Sequence, residues 1–386
     1  MDRPLKISII GVKGYPYVYG GYETLIKELV ERLIHKNVQI TVYCHRSLFK
    51  ERPVSYQNVQ LVYMPSIELK AFTQLVHSFL STIHACFQKN DVLFYVNAAN
   101  GPLGIITRLF GIKTVINVDG MEWLRPKWKG IGAKYYQIAA KMATQYFDIV
   151  VTDAYEMKKT YLELFNKQTT MIAYGADKVQ TAPLELLQKW GLATNEYYLI
   201  VGRLIPDNNA HLIVEAFLSI KSNKKLVIVG DDIFNDPYAS NIKNIISHNK
   251  HSNQLIFTGY VKDAAVLSAL YQHSFIYLHG HEFGGTNPTI VKAMAEGTCI
   301  LALNTRFNRE VLQEGRIGDF FEKDAKSLAN KMIEAEASEI TEASENNWVK
   351  NYKENSPMGI KDIYQWDYIA EQYYQSFTSL QHEGNF

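Results

Sequence analysis

Residues 279–297 combine types and spacing that suit anion binding. Gly284 and Gly285 let the backbone approach a ligand closely, and Thr286 and Asn287 come next. The proline that follows suits a first helical turn, where its missing N–H costs nothing. Because the free N–H groups of a helix start carry partial positive charge, this run predicts a site for phosphate oxygens. The alternative is that Thr286 and Asn287 only cap the helix.

The composition is that of a globular protein, with 47% hydrophobic and 20% charged residues among 386. The formal net charge of +1 points to neither nucleic acid nor an acidic partner. The three cysteines have no CxxC spacing and lie in apolar runs, which predicts buried thiols and a reducing, cytoplasmic compartment. We expect no membrane span and no signal peptide, because the apolar stretches are short and the N-terminus leads directly into a strand.

Short β-branched runs alternate with longer amphipathic runs along the chain, beginning with a strand at residues 6–10. This alternation is typical of α/β domains with parallel strands and right-handed crossovers. The same alternation of runs begins again with a strand at residues 198–201, which predicts a second domain of the same kind. An amphipathic stretch at residues 366–380 predicts a final helix that packs back on the domains.

The predicted fold class is therefore α/β, with two doubly wound Rossmann-like domains in series. We predict an N-terminal domain over residues 1–178, a C-terminal domain over residues 179–365 and a closing helix within residues 366–386. Ligands bind such sheets at the carboxyl ends of the strands, so a cleft between the two domains is the predicted active site.

Several segments carry a family resemblance: GVKGYPYVYGGYET near the start, VGRLIPDNN at the opening of the second half, and GGTNPTIVKAMAEG near the end. Together they resemble retaining nucleotide-sugar glycosyltransferases of family 4, which have the GT-B fold, over nearly the whole chain. The pieces YGGYE, NVDGMEW, HGHEFGGTNP and NTRFNREVL are similar to the rhamnosyltransferase subgroup. Those enzymes add L-rhamnose, often from dTDP-rhamnose, to a lipid-diphosphate-linked sugar in bacterial polysaccharide assembly.

For the second domain, the resemblance implies that Arg203 binds the donor diphosphate and stabilises the leaving group. A guanidinium fork suits phosphate oxygens, and a surface ion pair is the alternative. The family at large usually has a lysine five residues later, where this chain has Asn208, a trait that the subgroup shares. Gly230 ends another strand of this domain, where the backbone could meet the nucleotide base.

For the first domain, the resemblance implies acceptor binding. Gly20 and Gly21 would bring backbone N–H groups under the donor diphosphate, or would form only a tight turn after the first strand. Glu23 stands in the first turn of the following helix. Two explanations for an acidic residue at this position are equally good: the helix dipole favours it, or its carboxylate binds acceptor hydroxyl groups.

Asp119 ends an apolar strand at the mouth of the predicted cleft. It is the acid of the first domain best placed to contact the reacting sugars, and an aspartate in an Asp–Gly turn is the alternative. Glu122 and Trp123 come next and could shape the acceptor site, although a tryptophan more often packs.

Lys292 departs from the family pattern. It stands where the family has a ribose-binding glutamate, and Gly284 stands at the position of an earlier glutamate. A lysine cannot accept hydrogen bonds from ribose hydroxyls. Three explanations compete: an altered nucleotide site, a lysine that supplies the diphosphate with the cation missing at Asn208, or a Glu282 that turns towards the ribose. The second explanation is our hypothesis, which counts Lys292 among the catalytic residues.

Residues 125–141 mix lysines with Trp and Tyr. Such a mixture on a helix can lie on an anionic membrane surface, with a solvated helix face as the alternative. Because the resembling enzymes reach lipid-linked acceptors from the cytosolic leaflet, we expect a cytoplasmic protein with peripheral membrane contact. We expect no metal and no cofactor, since Arg203 and a helix dipole can offset the diphosphate charge.

Together these features predict a retaining glycosyltransferase that moves L-rhamnose from dTDP-rhamnose to a lipid-diphosphate-linked or oligosaccharide acceptor in bacterial surface polysaccharide biosynthesis. Domain closure would exclude water, and the C1–O bond would break through an oxocarbenium-like state. Two alternatives remain open. One is a UDP- or GDP-sugar donor on the same machinery, and the other is a catalytically weakened partner subunit that binds glycan.

Overall fold

The computed structural model describes residues 3–16, 20–66, 72–177, 180–230, 237–247, 252–340, 347–360 and 362–382. The chain forms two compact units. Unit 1 comprises Met1–Tyr174 and Ile363–Phe386, and unit 2 comprises Gly175–Asp362. The predicted domain boundary at residues 178 and 179 lies outside the described residues.

Unit 1 is a sheet with helices between its strands. Its strands are β1 Leu5–Ile10, β2 Val38–His45, β3 Ser55–Tyr56, β4 Val59–Met64, β5 Val92–Val96, β6 Lys113–Asn117, β7 Ile149–Thr152 and β8 Thr170–Met171. Its helices up to residue 165 are α1 Gly21–Leu33, α2 Phe72–Cys86, α3 Gly104–Leu109, α4 Ile131–Tyr146 and α5 Tyr155–Phe165. The strand order is β3-β4-β2-β1-β5-β6-β7-β8, and only β3 pairs antiparallel among the described strands. The central strands are almost entirely buried, β5 along its whole length and β1 apart from Lys6, because both sheet faces are covered.

Unit 2 repeats this arrangement. Its strands are β9 Tyr197–Val201, β10 Lys225–Val229, β11 Leu255–Gly259, β12 Ile276–His279, β13 Ile300–Leu303 and β14 Asp319–Phe321. Its helices are α6 Ala210–Ser219, α7 Pro237–Ser247, α8 Ala264–Gln272, α9 Pro288–Ala295, α10 Arg306–Val311, α11 Ala325–Ile340 and α12 Trp348–Asn355. The described strands lie parallel in the order β11-β10-β9-β12-β13-β14. The prediction of two doubly wound α/β domains is confirmed.

The last helix, α13 Trp366–His382, belongs to unit 1. Its buried residues recur every three or four positions and join the core formed by β1, β5 and α1. These residues are Trp366, Ile369, Ala370, Tyr373, Phe377 and Leu380. The hydroxyl of Tyr373 accepts a hydrogen bond of 2.7 Å from Asn117 at the end of β6, so α13 reaches the carboxyl edge of the sheet. None of the helices in the described segments is long and apolar enough to cross a membrane.

Candidate functional site

The loop after β9 carries the arginine predicted to bind a diphosphate. The side chain of Arg203 is exposed, and no carboxylate of the described residues pairs with it. Asn208 is buried, and its side-chain Nδ2 donates to the carbonyl oxygen of Arg203 over 2.8 Å. Asn208 therefore fixes the loop that presents the guanidinium. Its direct contact with a donor stays a prediction.

Glycines stand where the loops of unit 2 come closest together. A Cβ atom at Gly230 would lie 2.1 Å from the carbonyl oxygen of Gly202. A Cβ atom at Gly280 would lie 2.4 Å from the carbonyl oxygen of Asn208. Because no side chain fits at these distances, the loops after β9, β10 and β12 meet backbone against backbone. The predicted contact of Gly230 with a nucleotide base is not tested by this packing.

The loop after β12 is tied to the loop after β9. The backbone N–H of Glu282 donates to the carbonyl oxygen of Asp207 over 3.0 Å. The carboxylate of Glu282 lies 2.6 Å from Nζ of Lys323, so it is held in an ion pair at the surface. The buried Asn308 donates through Nδ2 to the carbonyl oxygen of His281 over 3.1 Å. A ribose contact by Glu282 would require its ion pair to break.

The segment before α9 has the backbone that the glycine pair predicts. Gly284 has a φ of +126°, a conformation that residues with a side chain rarely adopt. Gly285 and Thr286 are buried beside it. The backbone conformation therefore explains why a glycine stands at position 284. Binding of a diphosphate by this segment stays a prediction.

A chain of hydrogen bonds holds the start of α9. Oδ1 of Asn287 accepts the backbone N–H of Thr289 at 3.0 Å and its hydroxyl at 2.8 Å. The hydroxyl of Tyr277 donates to Oγ1 of Thr289 over 2.8 Å and lies 2.8 Å from Nδ1 of His279. Because Oδ1 of Asn287 is bound by both donors of Thr289, its NH₂ group points away from the cap. That NH₂ group has no partner among the described residues, so it is free to bind an anion.

His279, in the strand before this loop, is not among the site residues predicted from the sequence. Burial lowers its pKa to about 3, so the imidazole is neutral. Since Tyr277 donates to Thr289, it accepts from His279, which places the ring proton on Nδ1. Nε2 is then an acceptor that is buried and has no partner within the described segments. The ring stacks on His281 with centroids 4.5 Å apart. The HGH spacing was the signal available in the sequence.

The side chain of Lys292 forms an ion pair at the C-terminal end of α9, not at the start of the helix. Its Nζ lies 2.5 Å from Oε1 of Glu296 and 3.3 Å from Oγ of Ser268. The fully buried carboxylate of Glu296 also accepts from Ser268 at 2.6 Å and from Gln272 at 2.7 Å. Glu296 lies four residues further along α9, at the end opposite to the helix start. The hypothesis that Lys292 serves the diphosphate stays a prediction, and it requires this ion pair to break.

In unit 1, the side chain of Glu23 contacts both the loop after β1 and the glycine that precedes α1. Oε1 of Glu23 accepts the backbone N–H of Lys13 at 3.2 Å, and its side chain is buried. A Cβ atom on Gly20 would lie 3.1 Å from the other carboxylate oxygen. Gly21 follows Gly20 in the chain and is the first residue of α1. Glu23 therefore fixes the loop after β1 against α1, a role that the dipole and acceptor interpretations did not include.

Asp119 follows β6 within a buried polar cluster. Its Oδ2 accepts the hydroxyl of Tyr174 at 3.1 Å, and its backbone N–H donates to Oδ1 of Asn117 at 3.1 Å. Its carboxyl group also interacts electrostatically with that of Asp153, which follows β7 and is fully buried. Asp153 is not among the site residues predicted from the sequence. The available signal was an aspartate directly after each of two consecutive apolar strands.

Glu122 organises the segment after Asp119. Its carboxylate lies 2.9 Å from Nε of Arg125 and 3.0 Å from Nζ of Lys127, and it accepts Nε1–H of Trp128 at 2.9 Å. Burial alone would raise the pKa of Glu122, but the two cations and the indole lower it. Trp123 packs against Tyr161 and a neighbouring phenylalanine of α5, as the packing alternative predicts. Contacts of Glu122 and Trp123 with an acceptor stay predictions.

The chemistry available in unit 2 is that of an anion site. Arg203 offers an unpaired guanidinium, and Asn287 offers an amide donor at a helix start, on loops that are bonded to each other. Across the described ranges, no group of three or more His, Cys, Asp or Glu side chains is arranged to hold a metal ion. The donors of Arg203 and Asn287 are N–H groups, which recognise oxyanions.

Comparison with protein families gives two matches that cover most of the chain. A family model for glycosyl transferases group 1 matches residues 185–355, which include Arg203 and all of α9. Residues 185–355 therefore form a group 1 glycosyltransferase domain, and the chain is a glycosyltransferase. Residues 5–177 match a domain of unknown function, DUF1972. An uncharacterized glycosyltransferase of Methanocaldococcus jannaschii is 24% identical to this glycosyltransferase, over 97% of this chain and 99% of its own.

Solved structures show that the glycosyltransferase has the GT-B fold. Sucrose-phosphate synthase from Thermosynechococcus elongatus superposes with a TM-score of 0.82 at 18% identity, covering 98% of this chain and 100% of its own. Anabaena HepE in complex with UDP gives 0.76 at 15% identity, with coverage of 97% and 100%. WaaG, a glycosyltransferase involved in lipopolysaccharide biosynthesis, gives 0.71 at 12% identity, also with coverage of 97% and 100%.

Proposed function

We propose that this glycosyltransferase uses a nucleotide-sugar donor and binds the donor diphosphate on unit 2. The observation that carries the proposal is the unpaired, exposed guanidinium of Arg203, on a loop bonded to the one that leads to Asn287. A guanidinium and a helix start are both complementary to phosphate oxygens. The complexes of Anabaena HepE with UDP and with UDP-glucose support a donor of this class.

The specific reaction we propose is transfer of L-rhamnose from dTDP-rhamnose, with retention, to a lipid-diphosphate-linked or oligosaccharide acceptor in bacterial surface polysaccharide biosynthesis. The support is the resemblance of NVDGMEW and HGHEFGGTNP to the rhamnosyltransferase subgroup. The C1–O bond of the donor breaks, and the diphosphate leaves towards Arg203 and the start of α9. The acceptor oxygen bonds to C1 on the same face, and the leaving phosphate takes its proton. A UDP- or GDP-sugar donor is the alternative.

Nucleotide binding tests the donor site directly. Isothermal titration of the purified protein with dTDP, UDP and GDP identifies the preferred nucleotide. We expect Arg203→Ala to weaken binding of that nucleotide about tenfold or more, equivalent to about 1.4 kcal/mol. The matched control is Arg316→Ala, which removes another exposed and unpaired arginine of unit 2. Equal binding by wild type and Arg203→Ala would overturn the proposed site.

A transfer assay identifies the sugar. The purified protein is incubated with dTDP-rhamnose, UDP-sugars or GDP-sugars and a panel of synthetic sugar-diphosphate-lipid acceptors, and products are read by mass spectrometry. Transfer from dTDP-rhamnose supports the rhamnose proposal, and transfer only from another donor replaces it. Absence of transfer, together with tight binding to a second transferase, would favour a catalytically weakened subunit.

We also propose that α4 contacts an anionic membrane surface, which would bring a lipid-linked acceptor within reach. Residues 124–147 carry five basic and no acidic residues. On the exposed face of α4, Ile131 is 90% and Ile138 is 50% accessible to solvent. Lys134 and Lys141 are exposed between and after them at helical spacing. Apolar and basic side chains on one helix face are typical of helices that lie in the lipid headgroup region.

Vesicle binding tests this surface. Wild type should sediment with phosphatidylcholine vesicles that contain phosphatidylglycerol, and much less with phosphatidylcholine alone. Lys134→Glu combined with Lys141→Glu should abolish the difference. Lys159→Glu, at an exposed position of α5, is the control and should bind as wild type does. Equal binding by the double variant would exclude this face.

A further inference from the structure

Asp119 and Asp153 occupy matching positions on two neighbouring strands. Strands β6 and β7 are parallel, and Asn117 is paired with Val151 at their ends. Asp119 and Asp153 each lie two residues beyond that pair. Because side chains two residues apart point to the same side of a strand, the two carboxyl groups project in the same direction from adjacent strands. The carboxyl group of Asp153 acts electrostatically on that of Asp119.

This pair is enclosed by aromatic and charged side chains of unit 1. Asp153 is fully buried, whereas Asp119 remains partly accessible. The hydroxyl of Tyr174 donates to Asp119 over 3.1 Å. The other titratable or charged groups that act on the pair are Tyr22, Glu122, Arg125, Tyr161 and Tyr373.

Two carboxylates that lie side by side on adjacent strands in such surroundings cannot both be ionised without a large free-energy cost. Burial, the largest cause, raises the pKa of Asp119, with Arg125 opposing it and Glu122 adding to it. Because only one of the two groups can be ionised at low cost, the placement favours one proton shared between them.

We propose that Asp119 and Asp153 form a proton-sharing carboxyl pair that binds a hydroxyl group of the acceptor sugar, with Asp119 as the contacting residue and Asp153 as the positioning residue. This proposal rests on the proposed glycosyltransferase reaction. A sugar hydroxyl both donates and accepts hydrogen bonds. The pair can do the same, whereas a lone carboxylate only accepts. A buried acid pair also lowers stability, a cost that is typical of functional sites.

The first test needs no substrate. The raised pKa of Asp119 means that its contribution to stability is fully present in acid and is lost as pH rises through the folded-state pKa. Asp153→Asn keeps a hydrogen-bonding side chain but removes the second carboxyl group. We expect its melting temperature to exceed that of wild type by about 2–4 °C above neutral pH and to converge with wild type in acid.

Asp148→Asn is the matched control. Asp148 precedes β7 at the opposite end of the strand, and its Oδ2 accepts the backbone N–H and the hydroxyl of Thr114 at 2.8 and 2.9 Å. Its replacement should lower the melting temperature at every pH. If Asp153→Asn also lowers it at every pH, Asp153 has only a structural role and the proposal is wrong.

The second test separates acceptor from donor binding. With a synthetic sugar-diphosphate-lipid acceptor that wild type uses, Asp153→Asn should raise the acceptor KM about tenfold and leave nucleoside diphosphate affinity unchanged. An unchanged acceptor KM would overturn the acid-pair proposal while leaving the donor site intact. Failure of wild type to bind any nucleoside diphosphate would instead overturn the proposed function, and the stability test would still decide whether the pair shares a proton.

Discussion

The ammonium group of Lys292 lies 2.5 Å from Oε1 of Glu296, whose side chain is completely buried. Ser268 and Gln272 complete the hydrogen bonds of that carboxylate. Gln272 also accepts the backbone N–H of Ala182 at 2.8 Å, so the cluster joins α8, α9 and the segment at residue 182. The residue that departs most from the family pattern is thus part of a structural ion pair within unit 2.

Removal of Lys292 should therefore destabilise the protein. Lys292→Met leaves the Glu296 carboxylate buried without its counter-charge. Breaking a fully buried pair costs about 3–5 kcal/mol, and we expect about 2 kcal/mol here because Lys292 is 29% exposed. Urea unfolding measures the loss. Lys323→Met, which breaks the more exposed ion pair with Glu282, should cost less than about 1 kcal/mol.

The same position tests our hypothesis about the diphosphate. If Lys292 supplies charge to the donor, Lys292→Met should also weaken nucleoside diphosphate binding under conditions where the variant is fully folded. Unchanged affinity in the folded variant would restrict Lys292 to the ion pair. Combining Lys292→Met with Glu296→Gln should recover part of the lost stability, since the carboxylate is then absent.

Substitutions of Asn287 should separate helix capping from ligand binding. Asn287→Asp retains an oxygen that can cap α9, so stability should change little. It replaces the free NH₂ group by negative charge, so nucleoside diphosphate affinity should fall about tenfold or more. Asn287→Ala should lose about 1 kcal/mol of stability together with affinity. Titration calorimetry and urea unfolding give the two readouts, and full affinity in Asn287→Asp would leave only a capping role.

Thr289 should act on the donor through Asn287. Thr289→Val removes the hydroxyl that orients the Asn287 amide while keeping the size of the side chain. We expect nucleoside diphosphate affinity to fall several-fold. Thr289→Ser restores the hydroxyl and should restore affinity. The interpretation would be wrong if Val and Ser variants bound the nucleotide equally well.

Three buried histidines should make the fold sensitive to acid. Burial, the largest cause in each case, lowers the pKa of His45 to about 4 and of His77 and His279 to about 3. The unfolded chain takes up these protons near pH 6.5, whereas the folded chain takes them up only below those values. Stability should therefore fall as pH drops below about 6.5, by up to about 1.4 kcal/mol per pH unit for each histidine.

The measurement compares urea unfolding of wild type and His77→Gln between pH 7 and 4. His77 is completely buried, and its ring stacks on that of His45 with centroids 3.7 Å apart. The variant has one fewer group to protonate, so its loss of stability with falling pH should be smaller. Identical slopes for the two proteins would show that His77 does not control the acid response.

Catalysis is expected to need no divalent metal. In our proposal, Arg203 and the start of α9 offset the charge of the leaving diphosphate. Transfer activity should therefore survive dialysis against EDTA and should not rise when Mg²⁺ or Mn²⁺ is added. Arg203→Ala should lower kcat about 100-fold or more, the scale on which loss of one preorganised donor acts. Abolition of wild-type activity by EDTA would contradict this expectation.

The local sequence pattern was sufficient to predict the helices and strands of the fold. The strand predicted at residues 6–10 is observed as Leu5–Ile10, and the capping role given to Asn287 as the alternative is observed at the start of α9. Both depend on interactions within a few residues, which composition and spacing record.

Contacts between elements that are far apart in the sequence could not be predicted from the local sequence pattern. The sequence places Asp153 and Asp119 34 residues apart, and only the register of β6 with β7 brings them together. The Glu296 cluster likewise depends on how α8 lies against α9. The prediction for Lys292 followed the family resemblance alone and left out Glu296, a counter-charge that the spacing of four residues on one helix could have indicated.

The return of α13 to unit 1 has a consequence for synthesis on the ribosome. The core beside β1 and β5 is completed by Trp366, Ile369, Tyr373 and Phe377, which are translated after the whole of unit 2. Unit 2 can therefore finish folding while the first-made unit still exposes an apolar groove. A chain released before these residues are made would keep that groove open and would be a substrate for chaperones and proteases.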